Sequence, residues 1–402
     1  MLYEVLDALP PYPSHERTST LLSLSRVCRK LADVARKLLY RSIDLCVSID
    51  YEDTEDDNTQ LVQTLVEKEE CALAVRNLRI TFGEEPDRTE FLHFSYVLSR
   101  LSRLRRIYTG WEDALIGPES EEVVENFCQA VARNARHLEA LELPNISLTK
   151  KSVGIIFESL TNLNSFTHRI LRLRQRPIPK FKLGNLIFTS QASQAAFDVL
   201  TASSLESLTS LSLSMHRGKY PHDLTMLPNL STLHLSFDDR AGDDDKFNTR
   251  SPEGHEEWVD AIAYRLRTLL MSIHTLKVRT LTISFASLET CLDLSTLPLL
   301  DYLPPSIIHL SISSSLVGRT NRLLLLPPDP ALSPCPLLRQ ITILPPGYVM
   351  RINRVTYELT KLVAEAILDQ CFERRIKVVL AISRGGSFDE KDALDPQRRS
   401  GW

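Results

Sequence analysis

Asp243, Asp244 and Asp245 supply three adjacent oxygen ligands of the kind that hard divalent cations take. Consecutive aspartates do not fix a coordination geometry, so the run reads as a solvated acidic loop whose field suits a basic target. Ser383-Arg384-Gly385-Gly386-Ser387 follows a β-prone run and has the outline of a phosphate-binding turn. It lacks the lysine and the following helix that such a turn requires, and it reads as a flexible exit from a last strand. His216 and His222 read as surface residues, and the ten histidines show no ligand spacing. Seven cysteines, at 28, 46, 71, 128, 291, 335 and 371, form no CxxC pair. Their odd number does not complete a disulfide framework, and reduced structural thiols are the reading. Cys28 falls on the apolar stripe of a helical pattern, which argues for packing over nucleophilic catalysis. HExxH, GxxxxGK[S/T], GxSxG and EF-hand patterns are missing, so no catalytic residue, metal or cofactor is expected. The chain reads as a non-enzyme.

The elements around these residues carry a recurring strand signature: an apolar residue, two arbitrary ones, a second apolar residue, one more, and usually a third apolar residue. It occurs as Val75-Leu78-Ile80, Leu104-Ile107-Thr109, Leu138-Leu141-Leu143, Leu163-Phe166-His168 and Leu183-Leu186-Phe188. It returns as Leu208-Leu211-Leu213, Leu230-Leu233-Leu235, Val278-Leu281-Ile283, Ile307-Leu310-Ile312 and Leu338-Ile341-Ile343. Most intervals approximate a leucine-rich repeat, in which each unit gives one strand and a returning connection. Such a unit cannot bury its apolar face alone, and stacking supplies the burial. The expected fold is therefore α/β, an irregular leucine-rich solenoid with a parallel sheet on its concave face. Alternation along each strand sends neighbouring side chains to opposite faces. The leucines are structural, and Glu142, Ser212, His234 and Ser311 are among the candidate target contacts on the open face. Asp243, Asp244 and Asp245 join them from the inserted loop after Leu230.

Residues 1–45 have a different period. Leu2, Val5, Leu6 and Leu9 make a helical stripe closed by Pro10 and Pro11. A second helix is expected from about Thr20, with Leu24, Val27, Cys28, Leu31, Ala35 and Leu38 on one face, ending in a short extended piece, Ser42 to Val47. The acidic run at 51–57 reads as a joint, and residues 58–74 as a helix leading into the first repeat. Further helices are expected at 119–135, 190–200, 256–272 and 355–373. The resulting organisation is a module at 1–45, a linker and leading helix at 46–74, a repeat array at 75–383 and a mobile tail at 384–402. An apolar fraction of 43% with 24% charged residues describes a folded chain, and a net charge of −4 gives no general drive toward nucleic acid. No run spans a membrane and no secretory signal precedes Glu4, so an intracellular address, cytoplasm and/or nucleus, is expected.

The N-terminal module resembles the F-box. MLYEVLDAL places Glu4, Val5, Leu6 and Leu9 on the opening helix of that pattern, and SLSRVCRKLADVARKLLYRSIDL supplies its Val-Cys-Arg core as Val27, Cys28 and Arg29. Leu24, Leu31 and Ala35 follow the same pattern, and Leu39, Tyr40 and Arg41 match its closing segment. The repeats are similar to the divergent leucine-rich arrays that follow many F-boxes, especially in large fungal families. The resemblance implies docking to a Skp1-like adaptor, and through it to a cullin-RING ubiquitin ligase, by Leu2, Val5, Leu6, Leu9, Leu24, Val27, Leu31, Leu39 and Tyr40. The repeats would then select an unidentified target protein. Two other readings stay open: a repeat scaffold whose N-terminal helices cap the array, without a ubiquitin role, and an α/β enzyme whose strands mimic repeats.

Overall fold

The computed structural model describes residues 15–47, 55–82, 88–111, 118–171, 178–189, 194–215, 224–237, 264, 266–285, 299–313, 333–344, 365, 367–368, 371–372, 374–380, 382–384 and 387–389. The chain divides into two compact units, Met1–Ser204 and Leu205–Trp402. In the first, α1 (His15–Ser25) and α2 (Arg29–Leu39) lead into β1 (Ser42–Val47). Then follow α3 (Glu55–Glu67), α4 (Glu69–Ala74), β2 (Asn77–Phe82), α5 (Arg88–Arg100), β3 (Arg106–Trp111) and α6 (Pro118–Asn134). β4 (Ala140–Leu148), α7 (Lys150–Ser159), β5 (Ser165–Leu171), β6 (Asn185–Phe188) and α8 (Gln194–Ala202) complete it. The second unit has β7 (Ser210–Met215), a 3-10 turn at Leu224–Met226, β8 (Thr232–Phe237), helical residues 266–273 and β9 (Thr280–Phe285). It continues with α9 (Leu299–Tyr302), β10 (His309–Ser313), β11 (Gln340–Leu344), β12 (Lys377–Leu380) and the pair β13 (Ile382–Arg384) and β14 (Ser387–Asp389).

Within each unit every strand of the main sheet pairs in parallel with its predecessor in the chain, so strand order equals sequence order. This is the connectivity of a stacked α/β solenoid. The signature sets the register. Its fourth positions align as Ile43, Leu78, Ile107, Leu141, Phe166 and Leu186 in the first unit. Leu211, Leu233, Leu281, Leu310, Ile341 and Val378 align in the second. All twelve are buried, each giving about 1.5–3 kcal/mol of transfer free energy. A one-residue slip would send each row to the opposite face, which is why the alternation specifies the pairing.

The backbone repeats as strictly as the side chains. Before a strand begins, one carbonyl accepts two amide hydrogens from the next repeat: Arg41 from Arg76 and Asn77, Arg76 from Arg105 and Arg106, Arg105 from Glu139 and Ala140. Thr209, Ser231, Arg279 and Ile308 do the same in the second unit, and the N···O distances in these pairs lie between 2.7 and 3.2 Å. These bonds satisfy donors that the approach to the sheet would otherwise strand. Behind the strands of the first unit, Val124, Phe127, Val131 and Ala135 are buried, while Glu121 and Glu122 face water, as the helical period of α6 requires. Phe94 of α5 stacks on Phe127 at 5.6 Å, and Thr149 caps α7 by accepting the Ser152 N–H at 3.1 Å.

Several sequence expectations change. The single helix expected from Thr20 is two helices, parted at residues 26–28. Ser23 and Ser25 turn their hydroxyls onto the carbonyls of Ser19 and Leu22, a competition that weakens a helix end. Cys28 is the extended residue before α2 and is exposed, so it does not sit on a buried stripe. Ser42–Val47, expected as a short extended piece at the end of the N-terminal module, pairs over six residues with β2 and joins the main sheet. α3 begins at Glu55, inside the acidic run expected to be a joint, and Lys68 divides the expected leading helix into α3 and α4. Ser383 and Arg384 pair antiparallel with Phe388 and Ser387, where a flexible exit was expected. The N-terminal stripe Leu2, Val5, Leu6 and Leu9, the loop Asp243 to Asp245, and His216 and His222 lie outside the described residues.

Candidate interaction surfaces

The N-terminal helices have an inward and an outward side. Leu21, Ala35 and Leu38 form a small buried core, against which Leu24, Val34 and Leu39 pack. Leu31 is half-buried. Tyr40 is half-buried too; burial raises the pKa of its phenol, while a hydrogen bond with Thr64 of α3 opposes the shift. Leu22 and Val27 point out, Val27 with 68% of its surface exposed. Of the adaptor contacts expected from sequence, Val27 is therefore open to a partner, whereas Leu24 and Leu39 support the helix pair from inside.

The open face of the second unit is a field of hydroxyls. The fifth signature position gives Ser212, His234, Thr282, Ser311 and Thr342 on successive rungs. No Asp, Glu, Lys or Arg occurs within β7 to β11. Ser212 Oγ lies 3.4 Å from His234 Nδ1, and His234 Nε2 lies 3.0 Å from Ser284 Oγ. Burial lowers the pKa of this imidazole, so at neutral pH it bridges two hydroxyls with one donor and one acceptor. A serine stands where a nucleophilic triad would place its carboxylate, so the imidazole of His234 has hydroxyl partners on both sides. Three candidates chosen from sequence thus share one row: Ser212 and His234 in contact, and Ser311 two rungs from His234.

Glu142 lies in the first unit. In the first unit the same position carries Asp44, Arg79, Tyr108, Glu142, Thr167 and Ile187 in register. The Arg79 guanidinium lies 5.2 Å from the centre of the Tyr108 ring, a cation–π contact. Burial raises the pKa of Asp44, with Arg79 opposing, and likewise that of Glu142, with Arg106 opposing. This row is charged and aromatic where its counterpart is neutral. Asp44, Arg79 and Tyr108 were not among the sequence candidates, although the fifth positions of the signatures opening at Val75 and Leu104 give Arg79 and Tyr108.

His168 occupies a sixth position that is Leu, Ile or Phe in most other repeats. It is completely buried between Phe166 and Phe188, with ring centroids at 5.2 and 4.7 Å. Neither ring nitrogen has a hydrogen-bond partner, and desolvation lowers its pKa to about 3. The buried thiols are equally inert: burial pushes Cys128 and Cys335 up to about 12 and Cys371 up to about 11. Among the described residues no group of three His, Cys, Asp or Glu side chains is placed to hold a metal ion, and no helix is long and apolar enough to cross a membrane. No protein-family model matches this chain, and no curated protein matches it in sequence.

Proposed function

We propose that this protein is a recognition subunit of a cullin-RING ubiquitin ligase, docking a Skp1-like adaptor through its N-terminal helices and a target protein through the open strand faces. The carrying observation is the exposure of Leu22 on α1 and of Val27 in the turn between α1 and α2, while the opposite side of this helix pair is already packed. Exposed branched side chains on a small helical pair suit a partner's apolar groove, and Val27 falls in the segment that resembles the F-box. The neutral hydroxyl row of the second unit suits recognition by directional hydrogen bonds, and the charged row of the first suits a partner of mixed charge. Holding a target near the conjugating enzyme raises the effective concentration of its lysines, so no bond-making residue is required in this chain. The strand order favours this role over an open α/β enzyme, because within neither unit does the order reverse to create the crevice where such enzymes bind ligands.

The adaptor-free scaffold is the second reading. It is favoured by the way α2 and β1 build the first rung of the sheet, as a capping repeat would. Val27→Asp separates the two. Its site is exposed, so the fold is retained, and adaptor capture by the full chain is expected to fall at least about tenfold because a carboxylate enters an apolar contact. Equal capture by both proteins would contradict the docking assignment.

A further inference from the structure

Arginines gather along one rim of the first unit, away from the strand faces. A cavity of about 580 Å³ is lined by Arg76, Arg103, Arg105 and His137, with Glu139 as its sole acidic lining residue among those described. A second cavity, of about 540 Å³, is lined by Arg133 and Arg136 with no acidic residue among those described. The two adjoin: His137 lines the first and Arg136 the second, and Asn162, on the first, donates from Nδ2 to the Arg136 carbonyl at 3.5 Å. The stripe therefore carries five guanidinium groups against one carboxylate, and Arg105 already engages that carboxylate at 3.2 Å.

The cluster is built into the fold. Arg76 and Arg105 hold the second signature position of adjacent repeats, where their carbonyls carry the bifurcated ladder. Strand pairing thus fixes their backbones about 4.8 Å apart. Arg76 is pinned from the side as well, its Nη1 donating to the carbonyls of Leu73 at 2.8 Å and Val75 at 3.1 Å. Burial lowers its pKa, and the neighbouring charges of Arg103, Arg105 and Arg41 lower it further, so the like charges are near enough to repel. An anion laid across them would relieve that repulsion.

We propose that this stripe docks an acidic, carboxylate-rich segment of a protein partner. The guanidinium groups are spread over two adjoining cavities instead of converging on one point, which suits several carboxylates along a chain better than a single phosphoryl group. No Phe, Tyr or Trp lines either cavity, so the base-stacking platform of a single-strand nucleic-acid site is missing from the described lining. The net charge of −4 also opposes general attraction to a polyanion. The surface includes neither the N-terminal helices nor the hydroxyl row, so it stands whether or not the ligase reading does.

Fluorescence anisotropy of the full chain with fluorescein-labelled octaglutamate tests it. Binding with a dissociation constant on the order of tens of micromolar is expected at about 50 mM salt, weakening about tenfold by about 200 mM as screening grows. Arg103→Ala combined with Arg136→Ala removes two exposed charges and is expected to weaken binding at least about fivefold, with the thermal unfolding midpoint unchanged. Octaglutamine is expected not to bind. Equal binding of octaglutamine, unchanged affinity in the double variant, or no octaglutamate binding at about 100 micromolar protein would overturn the proposal. Tighter capture of a phosphoserine–glycine peptide or of single-stranded DNA would overturn it too, reassigning the stripe to phosphoryl groups.

Discussion

Replacing His168 by Leu should stabilise this protein, and by an amount that grows as the solution becomes more acidic. The imidazole is fully buried with two unsatisfied nitrogens, so its removal relieves a desolvation cost of about 1–3 kcal/mol. Lost aromatic contacts with Phe166 and Phe188 return about 0.5–1.5 kcal/mol, leaving a net gain of about 1 kcal/mol at pH 7.5. Acidity adds to the gain. The folded chain keeps this group neutral down to about pH 3, while the unfolded chain takes up a proton near the ordinary value of 6.5. The depressed value thus contributes stability that is present in full above pH 6.5 and is lost as pH falls toward 3. Between pH 7.5 and 5 the linked protonation costs the native protein about 2 kcal/mol that the leucine variant does not lose. Urea unfolding of both proteins, followed by circular dichroism at pH 7.5, 6 and 5, should show a stability gap widening from about 1 to about 3 kcal/mol. A gap that stays constant over this range would refute the burial argument, and a variant less stable at every pH would refute the assignment of the nitrogens as unpartnered.

Three further outcomes follow from the stacking. Leu211→Ala and Leu233→Ala each remove a fully buried side chain and should cost about 2–5 kcal/mol; the double variant should cost less than the sum, because the two residues face each other on adjacent rungs, and urea midpoints check both statements. Gly184→Ala would put a methyl carbon 2.6 Å from Asn164 Oδ1, which accepts the Gly184 N–H at 2.8 Å. Loss of that bond should cost about 1 kcal/mol in thermal or urea unfolding, and adding Asn164→Ala should make the glycine replacement nearly neutral. Alkylation of the native protein with peptide mapping should label the exposed Cys28 before Cys71, Cys128, Cys335 and Cys371, all of which are buried.

The repeats were legible because stacking imposes the same demand on each unit: apolar residues at three fixed positions, with Leu138, Leu141 and Leu143 as plain an instance as any. The ends of the sheet were legible as a short extended piece, Ser42 to Val47, and a β-prone run before Ser383, but not as repeats. β1 keeps the spacing as Tyr40-Ile43-Leu45, but an aromatic opening residue within a helix-rich segment hides it. β12 begins from Arg375, a non-glycine residue at φ 58°, where every other strand read from sequence has an aliphatic residue. A terminal unit stacks on one side only, so its first position is freed from the rule that exposes the others. The break at residues 26–28 carries no Pro or Gly and depends on serine hydroxyls, whose choice of carbonyl is a local three-dimensional outcome. Of the candidate surfaces, Ser212, His234 and Ser311 could be placed together because the period of two is enough to align rungs. The arginine rim could not, since Arg76, Arg103, Arg105 and Arg136 come from three helix-to-strand connections and Arg133 from the end of α6, which only the register of the sheet brings side by side.

The most direct test of the receptor account is a titration of the full chain with a purified Skp1-like adaptor, followed by sedimentation velocity. A one-to-one complex at concentrations on the order of tens of micromolar is predicted, with Val27→Asp shifting the midpoint at least about tenfold. Two independently sedimenting species across that range, with wild-type protein and adaptor each folded, would contradict it.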